Sequence, residues 1–115
     1  METMQTKSLV LMMALLASPL LQADVIADLT TRAEAGEAPA QLELAGLLAK
    51  GEGTARNMVD AVKWYTKAAE QGSGEAQMIL GGIYVSGKGV KKSSVDAAKW
   101  YSLSAHNGKN FAAVT

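Results

Sequence analysis

Residues 40–75 read AQLELAGLLAKGEGTARNMVDAVKWYTKAAEQGSGE, and residues 76–111 read AQMILGGIYVSGKGVKKSSVDAAKWYSLSAHNGKNF. Slid by 36 residues, the chain matches itself. Ala40 meets Ala76, Leu44 meets Leu80, Gly46 meets Gly82, Gly51 meets Gly87 and Gly53 meets Gly89. Val59-Asp60-Ala61 meets Val95-Asp96-Ala97, and Lys63-Trp64-Tyr65 meets Lys99-Trp100-Tyr101. Ala69 then meets Ala105, and Gly72 meets Gly108. Chance does not align two WY pairs, two GxG segments and two terminal glycines in one register. The register extends outward on both sides. Ala33-Glu34-Ala35-Gly36 precedes Ala69-Glu70-Gln71-Gly72 by the same interval, and Ala112 follows Ala76 by it. A period in this range is the mark of a repeat array, in which each unit buries its apolar face on its neighbours.

Each unit holds two helical patterns divided by glycines. Ala40, Leu44, Leu47 and Leu48 recur at helical spacing, as do Ala76, Leu80, Ile83 and Tyr84. Gly51 and Gly87 stop these first helices, because glycine takes the left-handed conformation that ends a helix. Pro39 suits the first turn of a helix. The GxG segment is a loop and not a dinucleotide fingerprint, since no strand precedes it and no third glycine follows at the required spacing. Asn57 and Ser93 are good N-caps for the second helices. Those helices are predicted to bury Val59, Val62, Tyr65 and Ala69 in one unit and Val95, Ala98, Tyr101 and Ala105 in the other. Trp64, Tyr65, Trp100 and Tyr101 supply bulk between helices that small residues allow to approach closely. Gly72 and Gly108 end the second helices.

The expected fold class is therefore all-α: a short right-handed α/α solenoid of antiparallel helix hairpins. Residues 24–39 make a partial repeat or an N-terminal capping helix from about Val25 to Ala35. Residues 40–75 and 76–111 are full repeats, and 112–115 begin a further one. Residues 1–23 have the three-part layout of a secretory signal peptide: Lys7 in a short n-region, an apolar stretch from Leu9 to Leu21, and Ala23 at the cut. The stretch is too short to span about 30 Å of hydrocarbon, and Pro19 breaks its end, so no stable anchor is expected after cleavage. The expected location is periplasmic or secreted.

Composition narrows the function. The chain has 11 basic and 11 acidic residues, and the leader carries one of each, Glu2 and Lys7, so the remainder is balanced too. Nucleic acid, which requires a basic face, is not an expected partner. There is no cysteine, which excludes thiolate metal sites, a cysteine nucleophile and disulfides. His106 is the only histidine and stands near a helix C-terminus, where a surface or capping role is expected. Glu34, Glu37, Glu43, Asp60 and Asp96 read as scattered helix-surface charges. No nucleophile–base pattern and no cofactor or metal motif is found, and the chain reads as non-enzymatic.

The pattern A-x3-L-G-x2-Y-x2-G-x-G-V, then A-x2-W-Y-x3-A-x2-G, resembles the Sel-1-like repeat, a relative of the tetratricopeptide repeat. Ala76, Leu80, Gly81, Tyr84, Gly87, Gly89, Val90, Ala97, Trp100, Tyr101, Ala105 and Gly108 match it in the second unit. The first unit departs at Ala45, Leu48 and Thr54, where glycine, tyrosine and valine are usual. The resemblance implies a helix-hairpin solenoid used for scaffolding and protein–protein recognition, with no family-wide catalytic residues.

In a curved array the first helices line the concave face. Opposite their core stripe stand Leu42, Gly46 and Ala49 in one unit and Met78, Gly82 and Val85 in the next, with Lys50 and Ser86 at the edge. A face that met only water would be polar, and this one is apolar and small. It suits an amphipathic helix or an extended peptide from a protein partner. Coverage by the chain's own terminal segment or by a second copy is the alternative, including self-association through the C-terminal hairpin. An exported binding module is the leading function. A periplasmic immunity or inhibitor protein against a toxin is its narrower form, and a cell-wall-acting hydrolase is the rival class.

Overall fold

The computed structural model describes residues 19–107, and these form five α-helices with no strand among them. They are α1 (Pro19–Glu34), α2 (Ala38–Lys50), α3 (Met58–Glu70), α4 (Gly74–Ser86) and α5 (Ser94–His106). Each helix packs chiefly on its neighbours in the chain, most closely within the hairpins α2–α3 and α4–α5. The result is the expected all-α array of stacked antiparallel hairpins. Residues 19–23 of the predicted leader open α1, which starts earlier than the expected Val25. Pro19 has the fixed φ of a first helical position, and the residues after it lack any breaker. The rest of the leader, and the expected start of a further unit at 112–115, lie outside the described residues.

Local chemistry sets the hairpin ends identically in both units. Gly51 and Gly87 each sit at φ +76°, and each donates its N–H, at 2.8 Å, to the carbonyl of Leu47 or Ile83. The chain then turns back, and the N–H of Asn57 or Ser93 bonds the carbonyl of Leu48 or Tyr84. The Asn57 side chain accepts from the Asp60 N–H at 3.0 Å, and Ser93 Oγ accepts from the Asp96 N–H at 3.1 Å. Asp60 and Asp96 thereby stand in the first turns of α3 and α5, where a carboxylate favours the helix dipole. The GxG loops also make contact between units. A Cβ at Gly89 would lie 2.9 Å from the Met58 carbonyl oxygen, so the second loop rests on the start of α3.

The core runs as one cluster through the array and includes Leu29, Ala33, Leu44, Ala61, Trp64, Tyr65, Ala68, Leu80 and Trp100. The predicted stripe of the second helices needs correction. Val59 and Val95 are 66 % and 80 % exposed, and Ala98, Tyr101 and Ala105 are exposed as well. A single helical stripe is the wrong template, because these helices have two faces to bury. Ala61, Trp64 and Ala68 are buried, and so are their counterparts Ala97, Trp100 and Ser104. Val62, Tyr65 and Ala69 are buried in the first unit alone, beneath α4. The valines at 59 and 95 lie on neither face.

Gly89→Ala should lower stability by about 1–2 kcal/mol, since it combines a left-handed φ with backbone crowding against Met58. Gly81→Ala should stay within about 1 kcal/mol of the wild type, because helix propensity gains what Tyr101 loses by shifting its exposed ring. Urea unfolding of both variants measures the contrast.

Candidate partner-binding site

The eight residues predicted to meet a partner lie on α2 and α4. Leu42, Gly46 and Ala49 are half-buried on α2, as are Met78 and Gly82 on α4. Lys50, Val85 and Ser86 are exposed at the C-terminal ends of these helices. Leu42 and Ala49 pack in part against the core, so the row is the shoulder of the core that emerges on the first-helix face. Ser86 has a local duty: its hydroxyl donates to the Ile83 carbonyl at 3.0 Å and accepts from the Lys88 N–H at 3.3 Å. Lys50 occupies the last turn of α2, where its charge favours the dipole.

The tyrosines of the second helices reach this row. A Cβ at Gly46 would stand 3.7 Å from the Tyr65 hydroxyl, and one at Gly82 would stand 3.5 Å from the Tyr101 hydroxyl. The Tyr101 ring passes beneath residue 81. At Gly81 the approach is so close that a Cβ would lie 2.7 Å from Tyr101 Cε1. Burial, and secondarily the Glu75 carboxylate, push the Tyr65 phenol above its ordinary pKa. It is therefore a neutral hydroxyl at physiological pH, able to donate a hydrogen bond.

Behind the row, a carboxamide joint locks successive units together, and sequence reasoning passed it over. Gln41 Nε2 donates to the Ala33 carbonyl at 2.9 Å, and Gln77 Nε2 donates to the Ala69 carbonyl at 2.9 Å. Both glutamines are buried. Their Oε1 atoms accept from Gln71 Nε2 at 2.9 Å and from Asn107 Nδ2 at 2.6 Å. The signal was present in the identity of Gln41 and Gln77 one period apart, on the buried side of first helices.

On the other side of the hairpins, a cleft of about 420 Å³ is lined by Glu34, Gln41, Lys63, Trp64, Lys67 and Glu70 among others. Lys63 Nζ stands 5.1 Å and Lys67 Nζ 5.9 Å from the centre of the Trp64 ring, while Lys99 Nζ is 4.9 Å from that of Trp100. These cation–π contacts cover the indole faces with lysine side chains. The carboxylates remain dispersed, and no three potential metal ligands converge among the described residues. His106 is exposed on the last turn of α5, with Nδ1 3.1 Å from the Ser102 carbonyl. No helix of the described residues is long and apolar enough to cross a membrane.

Two consecutive stretches, residues 38–73 and 74–109, match the model of the Sel1 repeat. The chain is similar to a Sel1 repeat protein from Oxalobacter formigenes of known crystal structure, at 31% identity and a TM-score of 0.71 over 76% of this chain. It is also similar to a protective antigen of uropathogenic Escherichia coli that displays an SLR fold, at 30% identity and a TM-score of 0.53 over 73% of this chain. The alignments span 36% and 26% of those two chains. No curated protein matches.

Replacing Gln77 with leucine should cost about 1–3 kcal/mol, because it strands the Ala69 carbonyl and the Asn107 amide. Gln71→Ala, at the exposed partner of Gln41 in the equivalent joint of the preceding unit, should cost under about 1 kcal/mol. Urea midpoints at unchanged slope would establish the difference.

Proposed function

The chain belongs to the Sel1 repeat family, whose members are generally protein-interaction modules, and on that premise we propose that it is an exported, non-catalytic module that binds a protein or peptide on the first-helix face. The observation that carries this reading is the half-buried apolar row of Leu42, Gly46 and Ala49 with Met78 and Gly82, continued by the exposed Val85. Such a row is costly to leave in water and lies on rigid helices, where a complementary segment would dock with little ordering of the protein itself. The export component rests on the leader pattern of residues 1–23.

Self-association through α5 is a second reading, and Tyr101 favours it. Tyr65 is 7 % exposed beneath α4, while Tyr101 is 44 % exposed. Ala98, Tyr101 and Ala105 thus present in the second unit the face that the first unit buries. The other end of the described array is polar. Arg32 pairs with Glu37 at 3.1 Å and with Asp28 at 3.6 Å, and the hydrogen bond to Glu37 leads in holding its guanidinium pKa above the ordinary value. Head-to-tail stacking of copies would bury those charges, so a two-fold contact between α5 faces is the form self-association would take.

Expressed with its leader in a bacterial host, the chain should yield a periplasmic protein whose N-terminus lies near Asp24 by mass spectrometry. An intact Met1 in the cytoplasmic fraction would defeat the export reading. Cross-linking in that compartment should capture a specific protein with the wild type and lose it with Met78→Glu/Val85→Glu, once circular dichroism shows both equally helical. Capture of the chain's own copies alone would favour the α5 contact.

A further inference from the structure

The floor of the first-helix face is not uniformly apolar. Tyr65 is buried to more than nine-tenths, yet its hydroxyl has no hydrogen-bond partner among the described residues. No buried side-chain oxygen or nitrogen lacks a partner among them, so this hydroxyl is not sealed in the core but opens to solvent. It emerges beside Gly46, where the missing Cβ leaves the way to the face clear. The Tyr101 hydroxyl emerges beside Gly82 in the same manner, one repeat further on, and it too has no partner among the described residues. Two phenols therefore place two donors along the row of apolar side chains.

We infer that, given the docking role proposed for the first-helix face, its occupant is an extended peptide whose backbone carbonyls accept hydrogen bonds from the Tyr65 and Tyr101 hydroxyls. The alternative occupant, an amphipathic helix, matches the floor poorly. A helix has already spent its interior carbonyls on its own N–H groups and would present only apolar side chains to the row. The phenols would then lose water without gaining a partner, which is the expensive case for a polar group. An extended chain of polyproline II form keeps every carbonyl free and sets its side chains in three rows. One set settles over Leu42 and Met78, and the carbonyls between meet the phenols. Successive units displace equivalent atoms by roughly a helix diameter, about 10 Å. An extended chain of polyproline II form covers that in one turn of about three residues, which returns a carbonyl to the same direction, so the two hydroxyls read carbonyls about three residues apart. Gly46 and Gly82 permit this approach, and a side chain at either would stand between phenol and peptide.

The test uses the full chain and a phage-displayed library of random peptides as the probe. Selected peptides are synthesised, and their affinities are measured for the wild type, Tyr65→Phe, Tyr101→Phe, the double phenylalanine variant and Met78→Glu/Val85→Glu. The phenylalanine variants keep the ring in its place and remove only the donor, and circular dichroism verifies their folding. Tyr65→Phe should weaken binding about threefold to tenfold, the size of one neutral hydrogen bond. An ester in place of the contacted amide should weaken binding to the wild type and add no further loss in Tyr65→Phe, the non-additivity of a direct contact. Locking the peptide into a helix with a side-chain cross-link should abolish binding. If Met78→Glu/Val85→Glu removes binding while the double phenylalanine variant binds as tightly as the wild type, the hydroxyl contacts are refuted and the docking face stands. If no peptide is selected, or the selected peptides ignore Met78→Glu/Val85→Glu, both readings fall.

Discussion

The array hangs on one buried carboxamide per junction. Gln77 reaches from the first turn of α4 to the last carbonyls of α3 and takes an amide from Asn107 in return, and Gln41 does the same between α1, α2 and Gln71. Small apolar surfaces such as Ala40, Ala69 and Ala76 allow helices to slide against each other, since alanine faces have little relief. A carboxamide with both ends satisfied has one setting. It fixes how far α4 lies along α3, and the rest follows: Leu80 drops into the core, the Gly87–Gly89 loop settles on Met58, and Tyr65 is roofed by the next unit. A buried polar group that is fully bonded specifies register more sharply than apolar contact does, because any other register leaves it unpaired.

This arrangement divides the surface into parts with different work. The ends of the hairpins are closed by local bonds, with glycine at one turn and Asn57 or Ser93 at the other. The junctions are closed by Gln41 and Gln77. What is left over is the first-helix row and the α5 face, both apolar and both incompletely covered. Repeat proteins are held together by nearest-neighbour terms, so a surface can be left open without unravelling the interior. The α1 end carries Asp28, Arg32 and Glu37, whereas α5 exposes Ala98, Tyr101 and Ala105.

The helix ends were legible in the sequence because their causes are local. Gly51, Gly87, Asn57 and Ser93 act within a few residues of themselves, and the structure uses each as its residue type suggests. The two-hairpin architecture was legible because the period repeats everything twice. The second-helix core was not, since Val59 and Val95 fit a one-stripe template that a helix touching two neighbours does not obey. Burial there depends on which helix lies beyond, and residue spacing does not carry that information. The structure has Leu42, Gly46, Met78 and Gly82 half-buried, with Leu42 packed against the core, in a row that was expected opposite the core stripe. The phenols that surface within it were not. Their aromatic character suggested core, which is true of the rings, and the fate of a hydroxyl at the far end of a ring depends on a glycine in another helix.

The joint has a further consequence for how such a chain changes over generations. Each unit donates from a glutamine to a carbonyl of the unit before it, holds that glutamine with an amide from its own second-helix end, and offers a carbonyl of its second helix to the unit after it. Every unit thus carries both halves of the same fastening. A stretch copied or deleted in whole periods of 36 residues leaves each fastening with a mate, while a change of any other length leaves one half facing the wrong group. Unequal crossing-over between two such stretches is therefore filtered by folding itself, and the array can lengthen or shorten by whole hairpins without inventing a new interface.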